Sequence, residues 1–145
     1  YFKVKGPLEI VRFRWGEQNH TRYCREIRDV VFLEEQSVPF HIENADNKEA
    51  VFFLAYVGGL PAGCARYRET GEGFKLERFA VLKEFRNLQV GKALLRELLK
   101  EVPIESTYLF AQEGAVRFYE QNGFQKVGAP FVTADITHFR MTAQL

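Results

Sequence analysis

FKLERFAVLKEFRNLQVGKALLRELL, residues 74–99, is the stretch from which the fold can be read. Phe74 to Leu82 has the composition of a central strand. The basic and polar segment Lys83 to Gln89 follows and opens directly on a helix. On that helix Val90, Ala93, Leu94, Leu98 and Leu99 recur at helical spacing, while Lys92, Arg96 and Lys100 form a solvated face. A strand that feeds a helix through a short loop makes an anion site. The first N–H groups of the helix lack intrahelical partners, and the helix dipole adds positive potential there. Gly91 lets a diphosphate approach the backbone, and Arg86 and Lys92 supply charge. A P-loop is excluded, because Gly91-Lys92 is followed by Ala93 rather than Ser or Thr. A dinucleotide fingerprint is excluded too, since only one of its three glycines is present.

Upstream of this unit, Pro7 to Arg14 alternates with a period near two and reads as a first strand. Asn19 is the expected N-cap of an amphipathic helix over His20 to Glu34, whose apolar face carries Tyr23, Ile27, Val30 and Val31. Glu35 to Glu49 is polar, irregular and long enough to be a functional loop. Val51 to Val57 and Ala62 to Glu69 read as strands joined through Gly58-Gly59-Leu60-Pro61. Downstream, Pro103 stops the helix, which is expected to reach Glu101. A strand is expected over Ile104 to Phe110 and a helix over Glu113 to Gln121, with Gly123 as its C′ residue. Phe124 to Val127 and Ile136 to Met141 read as closing strands. Three consecutive strands followed by alternating elements predict a mixed α/β (α+β) sheet in one domain over residues 1–145, not a doubly wound parallel one.

Composition agrees. The 145 residues, 46% apolar and 27% charged, suffice for one globular domain with its own core. With 20 basic and 19 acidic residues the net charge is +1, which argues against a general grip on nucleic acid or an anionic membrane. No apolar run approaches the ~20 residues of a membrane span. Cys24 and Cys64 lie far apart with no metal-ligand spacing, and both are expected to be reduced core residues of a cytoplasmic protein that binds no metal. The 14 Phe and 6 Tyr imply an aromatic-rich core or a lined pocket.

Arg86-Asn87-Leu88-Gln89-Val90-Gly91, preceded by Glu77-Arg78-Phe79-Ala80-Val81 and followed by Ala93-Leu94-Leu95, resembles the acetyl-CoA signature of the GNAT superfamily of N-acetyltransferases. That signature runs Arg or Gln, two residues, Gly, one residue, Gly or Ala, and Gln89 departs from it where a glycine is usual. Ala115-Val116-Arg117-Phe118-Tyr119 through Gly123-Phe124 is similar to the family's A-x-x-F-Y-x-x-x-G-F, with Gln112 in place of the usual upstream Asn. Residues 27–39, IRDVVFLEEQSVP, and the His138-x-x-Met141 pattern are similar to the ElaA/YjcF-like branch. The resemblance implies a GNAT-like single domain with a mixed, mostly antiparallel sheet, splayed in the middle and flanked by helices. It implies acetyl-CoA as acyl donor, its pantetheine arm along Phe79, Ala80 and Val81 in the splay. The diphosphate would lie on Leu88, Gln89, Val90, Gly91 and Lys92, with Arg86, Asn87, Gln112 and Phe118 beside the ligand.

Transfer from a thioester to an amine needs a neutral amine, a stabilised oxyanion and a protonated leaving thiolate. The backbone N–H of Val81 is the candidate oxyanion donor. The resemblance assigns Tyr119 as the acid for the thiolate; packing on the helix face beside Phe118 is its structural alternative. For the base, Glu77, Glu35 and His138 are candidates. Glu77 and Arg78 should point to opposite strand faces, so that one of them meets the substrate. The acceptor is a small-molecule or peptide amine, with no nucleic-acid or membrane partner, and a homodimer is compatible with the chain. A non-catalytic acyl-CoA-binding or sensing domain, and an interaction module docking through residues 35–49, are the alternative readings.

Overall fold

The computed structural model describes residues 6–36 and 47–143. Most of the segment 35–49 therefore lies outside the described residues.

Four antiparallel strands in chain order build one half of the sheet: β1 (Leu8–Arg14), β2 (Val51–Val57), β3 (Leu60–Thr70) and β4 (Gly73–Val81). β4 then pairs in parallel with β5 (Thr107–Gln112), which pairs antiparallel with β8 (Ile136–Ala143). Two short strands, β6 (Phe124–Lys126) and β7 (Phe131–Thr133), complete the sheet against β8. Of these pairings only β4–β5 is parallel, so the mixed and mostly antiparallel sheet follows the sequence reading. Among the described residues the three α-helices are α1 (Gln18–Arg28), α2 (Val90–Leu99) and α3 (Val116–Gln121).

Both faces of β2 are covered, which explains why it reads as the continuous apolar run VFFLAYV. Val51, Phe53, Ala55 and Val57 pack with Leu94, Leu95 and Leu98 of α2. Phe52 and Leu54 point the other way, into a layer with Phe13, Cys24, Ile27 and Val31 beneath α1. Leu94 and Leu98 are fully buried, and burying each contributes roughly 1.5–3 kcal/mol. Cys24 and Cys64 are both buried in the α1 layer and form no disulfide. Among the described residues no helix is long and apolar enough to cross a membrane, and no group of His, Cys, Asp and Glu could hold a metal ion.

Several boundaries differ from the sequence reading. α1 starts at Gln18 with Glu17 as its N-cap, so Asn19 lies inside the helix. The turn is held instead by the Thr21 hydroxyl, which accepts from the Gly16 N–H at 2.9 Å. The helix does not run on as a regular α-helix to Glu34; Asp29–Glu35 widens into a π-helix. The wider turn shifts the spacing so that the adjacent residues Val31 and Phe32 are both buried. α2 ends at Leu99, two residues before Glu101. β5 begins at Thr107, because Ile104–Ser106 forms a 3-10 turn whose Ser106 N–H donates to the Pro103 carbonyl at 3.0 Å. β7 was not anticipated; its last two side chains, Val132 and Thr133, are exposed and give no apolar alternation to read. Gly123 does close α3, with φ of 92° and its N–H on the Glu120 carbonyl at 3.3 Å.

Candidate acyl-transfer site

β4 and β5 stay paired over three positions only, Phe74 with Thr107, Lys75 with Tyr108 and Leu76 with Leu109. Beyond Leu76 they part. The cause lies in β4, where Arg66 pairs with Glu77 but Cys64 pairs with Ala80, so three steps on β4 match two on β3. The extra residue is a β-bulge, and Arg78 takes the left-handed φ of 57°. A bulge bends the strand and changes the phase of its alternation. Glu77 faces the α1 side, yet Phe79 and Val81 turn toward the α2 core while Ala80 joins the α1 layer.

The Leu82 N–H donates to the Ala62 carbonyl at 2.9 Å. In an antiparallel ladder, the neighbouring residue then turns its own N–H and C=O away from that partner strand. The Val81 peptide groups therefore face the opening. Its carbonyl is taken by Arg86, whose Nε donates at 2.9 Å, and Arg86 Nη2 reaches Glu35 Oε1, also at 2.9 Å. This clasp folds the loop over the end of β4. The loop turns into α2 through Asn87 and Gln89, with left-handed φ of 69° and 65°. Glycine suits that conformation best, which is the physical reason a glycine is usual at position 89. The Gln89 carbonyl receives the Ala93 N–H at 3.0 Å, so the N–H groups of Val90, Gly91 and Lys92 precede the first intrahelical bond. No acidic residue lies in that first turn.

A cleft of about 1100 Å³ runs through the splay. Phe79, Val81, Gly91, Phe118 and Tyr119 form its wall on the α2 side. Tyr119 is buried between rings, with centroids 5.8 Å from Phe79, 5.0 Å from Phe118 and 6.1 Å from Phe124. Burial pushes its phenol well above the ordinary tyrosine value, so it stays protonated. Among the described residues, its hydroxyl makes no hydrogen bond within the chain.

The opposite wall carries Arg68, Lys75, Glu77, Phe110, Phe131 and His138. Glu77 Oε2 accepts from Arg66 Nε at 2.7 Å and Arg68 Nε at 2.9 Å, and Oε1 lies 3.2 Å from Lys75 Nζ. Arg66 Nη2 is a further 2.5 Å ionic contact without an aligned hydrogen bond. Burial alone would raise the Glu77 carboxyl. The charges of Arg66 and Lys75, the Arg68 hydrogen bond and the charge of Arg78 outweigh it and hold the group at about 2. Burial pulls Arg66 down to about 10, still a cation at neutral pH. Asn47 Oδ1 accepts from Arg66 Nη1 and Arg28 Nη1, both at 2.9 Å, which fixes this floor from beneath. His138 Nδ1 is 2.8 Å from the Ile136 carbonyl. A carbonyl only accepts, so Nδ1 carries the hydrogen, and in the neutral ring Nε2 holds the lone pair. The ring stacks on Phe131 at 5.7 Å.

Of the residues singled out from sequence, the cleft brings together Glu77, Phe79, Val81, Arg86, Asn87, Gly91, Gln112, Phe118, Tyr119 and His138. Gln112 Nε2 donates to Gln36 Oε1 at 2.7 Å, tying the end of β5 to the segment after α1. Six others do not line it. Ala80 and Val90 are buried in the two core layers, and Leu88 packs against the α2 core. Gln89 and Lys92 border a separate groove of about 750 Å³ with Arg96 and Lys100. Glu35 sits outside the lining, bound to Arg86. Sequence reasoning missed Arg68, Lys75, Phe110 and Phe131. The alternation of Cys64, Arg66 and Arg68 along β3 would have placed Arg68 on the α1 side. Phe131 carried no such signal, because its strand was not recognised.

The family model for the acetyltransferase (GNAT) domain matches residues 27–145. A protein of Bacillus subtilis (strain 168), BSU40680, whose name proposes an acetyltransferase, is 36% identical over 144 residues, covering 94% of this chain and 97% of that one. Escherichia coli ElaA superposes with a TM-score of 0.79 at 22% identity, over 95% of this chain and all (100%) of ElaA. A GNAT family acetyltransferase from Elizabethkingia anophelis, solved with acetyl-CoA bound, superposes with a TM-score of 0.70 at 13% identity, over 95% and 98% of the two chains. The splayed β4–β5 pair, the loop into α2 and the family match over most of the chain thus agree: this chain belongs to the GNAT family of acetyltransferases and is an acyltransferase.

Proposed function

We propose that the protein transfers an acetyl group from acetyl-CoA to a primary amine by direct attack on the thioester. The observation that carries this reading is the parting of β4 from β5 after Leu76, with the Val81 peptide turned into the gap beside the free N–H groups of α2. In that gap the amides of a pantetheine arm replace the missing ladder bonds. The diphosphate takes the N–H groups of Val90, Gly91 and Lys92, with Asn87 beside it. Arg86 holds the loop in shape rather than serving as a phosphate ligand alone.

The amine nitrogen attacks the thioester carbonyl, and the Val81 N–H stabilises the developing oxyanion. The C–S bond breaks, and the thiolate leaves toward Tyr119. The phenol hydrogen-bonds and protonates it, then regains a proton from solvent. His138 Nε2 accepts the proton lost by the amine. Glu77 is a poor choice for that step, because a carboxyl held at about 2 scarcely binds a proton at neutral pH. Its place is that of a fixed anion between three cations. Glu35 is engaged with Arg86 and stands apart from the cleft.

Calorimetric titration with acetyl-CoA and with free CoA tests the donor half of this reading. Micromolar binding that is lost on Gly91→Leu supports it. A Cβ at Gly91 meets Phe118 Cζ at 3.5 Å, an ordinary contact, so Gly91→Ala is the control for folding. Absence of binding to the intact protein refutes the reading.

A further inference from the structure

Side chains alternate across β5 and β8. Leu109, Ala111, Phe139 and Met141 point into the α2 core, so Phe110, Ile136 and His138 stand on the other face of the sheet. Phe131 of β7 joins them, because it pairs directly with His138. All four line the cleft and stay half-buried. Among the described residues, Phe110 and Phe131 belong to neither core layer. Their ring centroids lie 5.0 Å apart with the planes at 78°, so the two rings form a corner. Lys75 Nζ, 4.4 Å from the Phe110 centroid, holds that ring in place. Phe131 also stacks on His138, with the planes 21° apart. The donor, as proposed above, follows Phe79 and Val81 on the opposite wall and leaves this corner unused.

Resting on the acyl-transfer reading, we propose that the acceptor is a small primary amine that carries an aromatic ring on a short alkyl link, with the ring seated between Phe110 and Phe131. Two rings set nearly at right angles let a third lie flat against one and meet the other edge to face. Those are the two arrangements that aromatic pairs prefer. An aliphatic group of equal size buries similar apolar surface there but gains neither arrangement. The stack of Phe131 on His138 puts the corner beside the imidazole proposed as base. A short link therefore carries the amine nitrogen to Nε2.

The test compares three primary amines by release of CoA from acetyl-CoA: phenethylamine, cyclohexylethylamine and ethylamine. Phenethylamine is expected to have a kcat/KM at least about threefold above cyclohexylethylamine, from the ring geometry. It should exceed ethylamine by at least about tenfold, from the apolar surface it buries. Phe110→Leu and Phe131→Leu keep an apolar side chain and should bring the phenyl-to-cyclohexyl ratio to about one, with KM for acetyl-CoA unchanged. The ratio is the readout, because a disturbed His138 slows both amines alike. If Phe110→Leu fails to fold, Phe131→Leu on the short strand β7 decides. A ratio at or below one in the parent, or one that the leucine variants leave intact, overturns the inference and leaves acyl transfer standing. Where no amine in the set reacts, calorimetric binding of the same amines to the CoA complex decides, and lack of preference for phenethylamine overturns the inference. Absence of acetyl-CoA binding to the intact protein overturns both.

Discussion

Arg86 Nε donates to the Val81 carbonyl at 2.9 Å, so the residue that opens the loop into α2 also caps the last peptide of the splayed strand. Arg86→Ala removes this clasp and the Glu35 pair together. KM for acetyl-CoA should rise about tenfold, equivalent to about 1.4 kcal/mol, with a smaller effect on kcat. Glu35→Gln removes only an exposed ion pair, and pairs of that kind contribute about 0–1 kcal/mol. Its steady-state constants should stay within about threefold of the parent. A hundredfold loss of kcat in Glu35→Gln would return Glu35 to the role of base.

Gln89 holds a φ of 65°, which costs a non-glycine residue roughly 1 kcal/mol. Gln89→Gly should therefore raise stability by roughly 0.5–1 kcal/mol in urea unfolding, partly offset by the greater freedom of glycine in the unfolded chain. Affinity for acetyl-CoA should hold or improve, because the side chain does not line the cleft. Tighter CoA binding by the parent than by this variant would show that Gln89 contacts the ligand.

The Glu77 carboxyl lies at about 2 in the folded chain, against 4.5 for an ordinary glutamate side chain. A depressed folded value contributes stability that is present above the unfolded value and lost as pH falls through the folded one. The protein should therefore lose on the order of 3 kcal/mol between about pH 4.5 and 2 from this group alone. In Glu77→Gln that part of the pH slope should vanish. The variant should also be about 3–5 kcal/mol less stable at pH 7, because Arg66 keeps a buried charge without its partner. Denaturant midpoints across this range measure both effects, and an unchanged slope would remove Glu77 as the titrating group.

Tyr119→Phe removes a hydroxyl that makes no hydrogen bond within the described chain and leaves its ring contacts in place. Folding stability should be unchanged or slightly higher, KM for acetyl-CoA unchanged, and kcat lower by about 10²–10⁴-fold. A kcat within threefold of the parent would reduce Tyr119 to a packing residue. His138→Gln should likewise lower kcat with little change in KM for acetyl-CoA, since the ring lies on the wall opposite Phe79 and Tyr119.

Much of this architecture was legible in the residues themselves. The run VFFLAYV, the helix stripe of Val90, Leu94 and Leu98, and Gly123 at the end of α3 obey local rules of period and backbone conformation, so each element appeared near its place. The motif around Arg86 and the Phe118-Tyr119 pair pointed to residues that line one cleft for the same reason: both are short local segments. What depended on several strands at once was not readable. Strict alternation put Glu77 and Arg78 on opposite faces, but the bulge at Arg78 changed the phase of β4 and turned Phe79 and Val81 toward Tyr119. That shift arises from the register between β3 and β4, a long-range pairing that no local pattern encodes. The charged cluster assembled from Arg66, Arg68, Lys75 and Glu77 has the same origin, as does the depressed Glu77 carboxyl. The sequence alone determined where most of the elements form and which residues are candidates for the donor site. The tertiary structure decided which side chains meet across the splay, because electrostatics and burial depend on distances in space rather than along the chain.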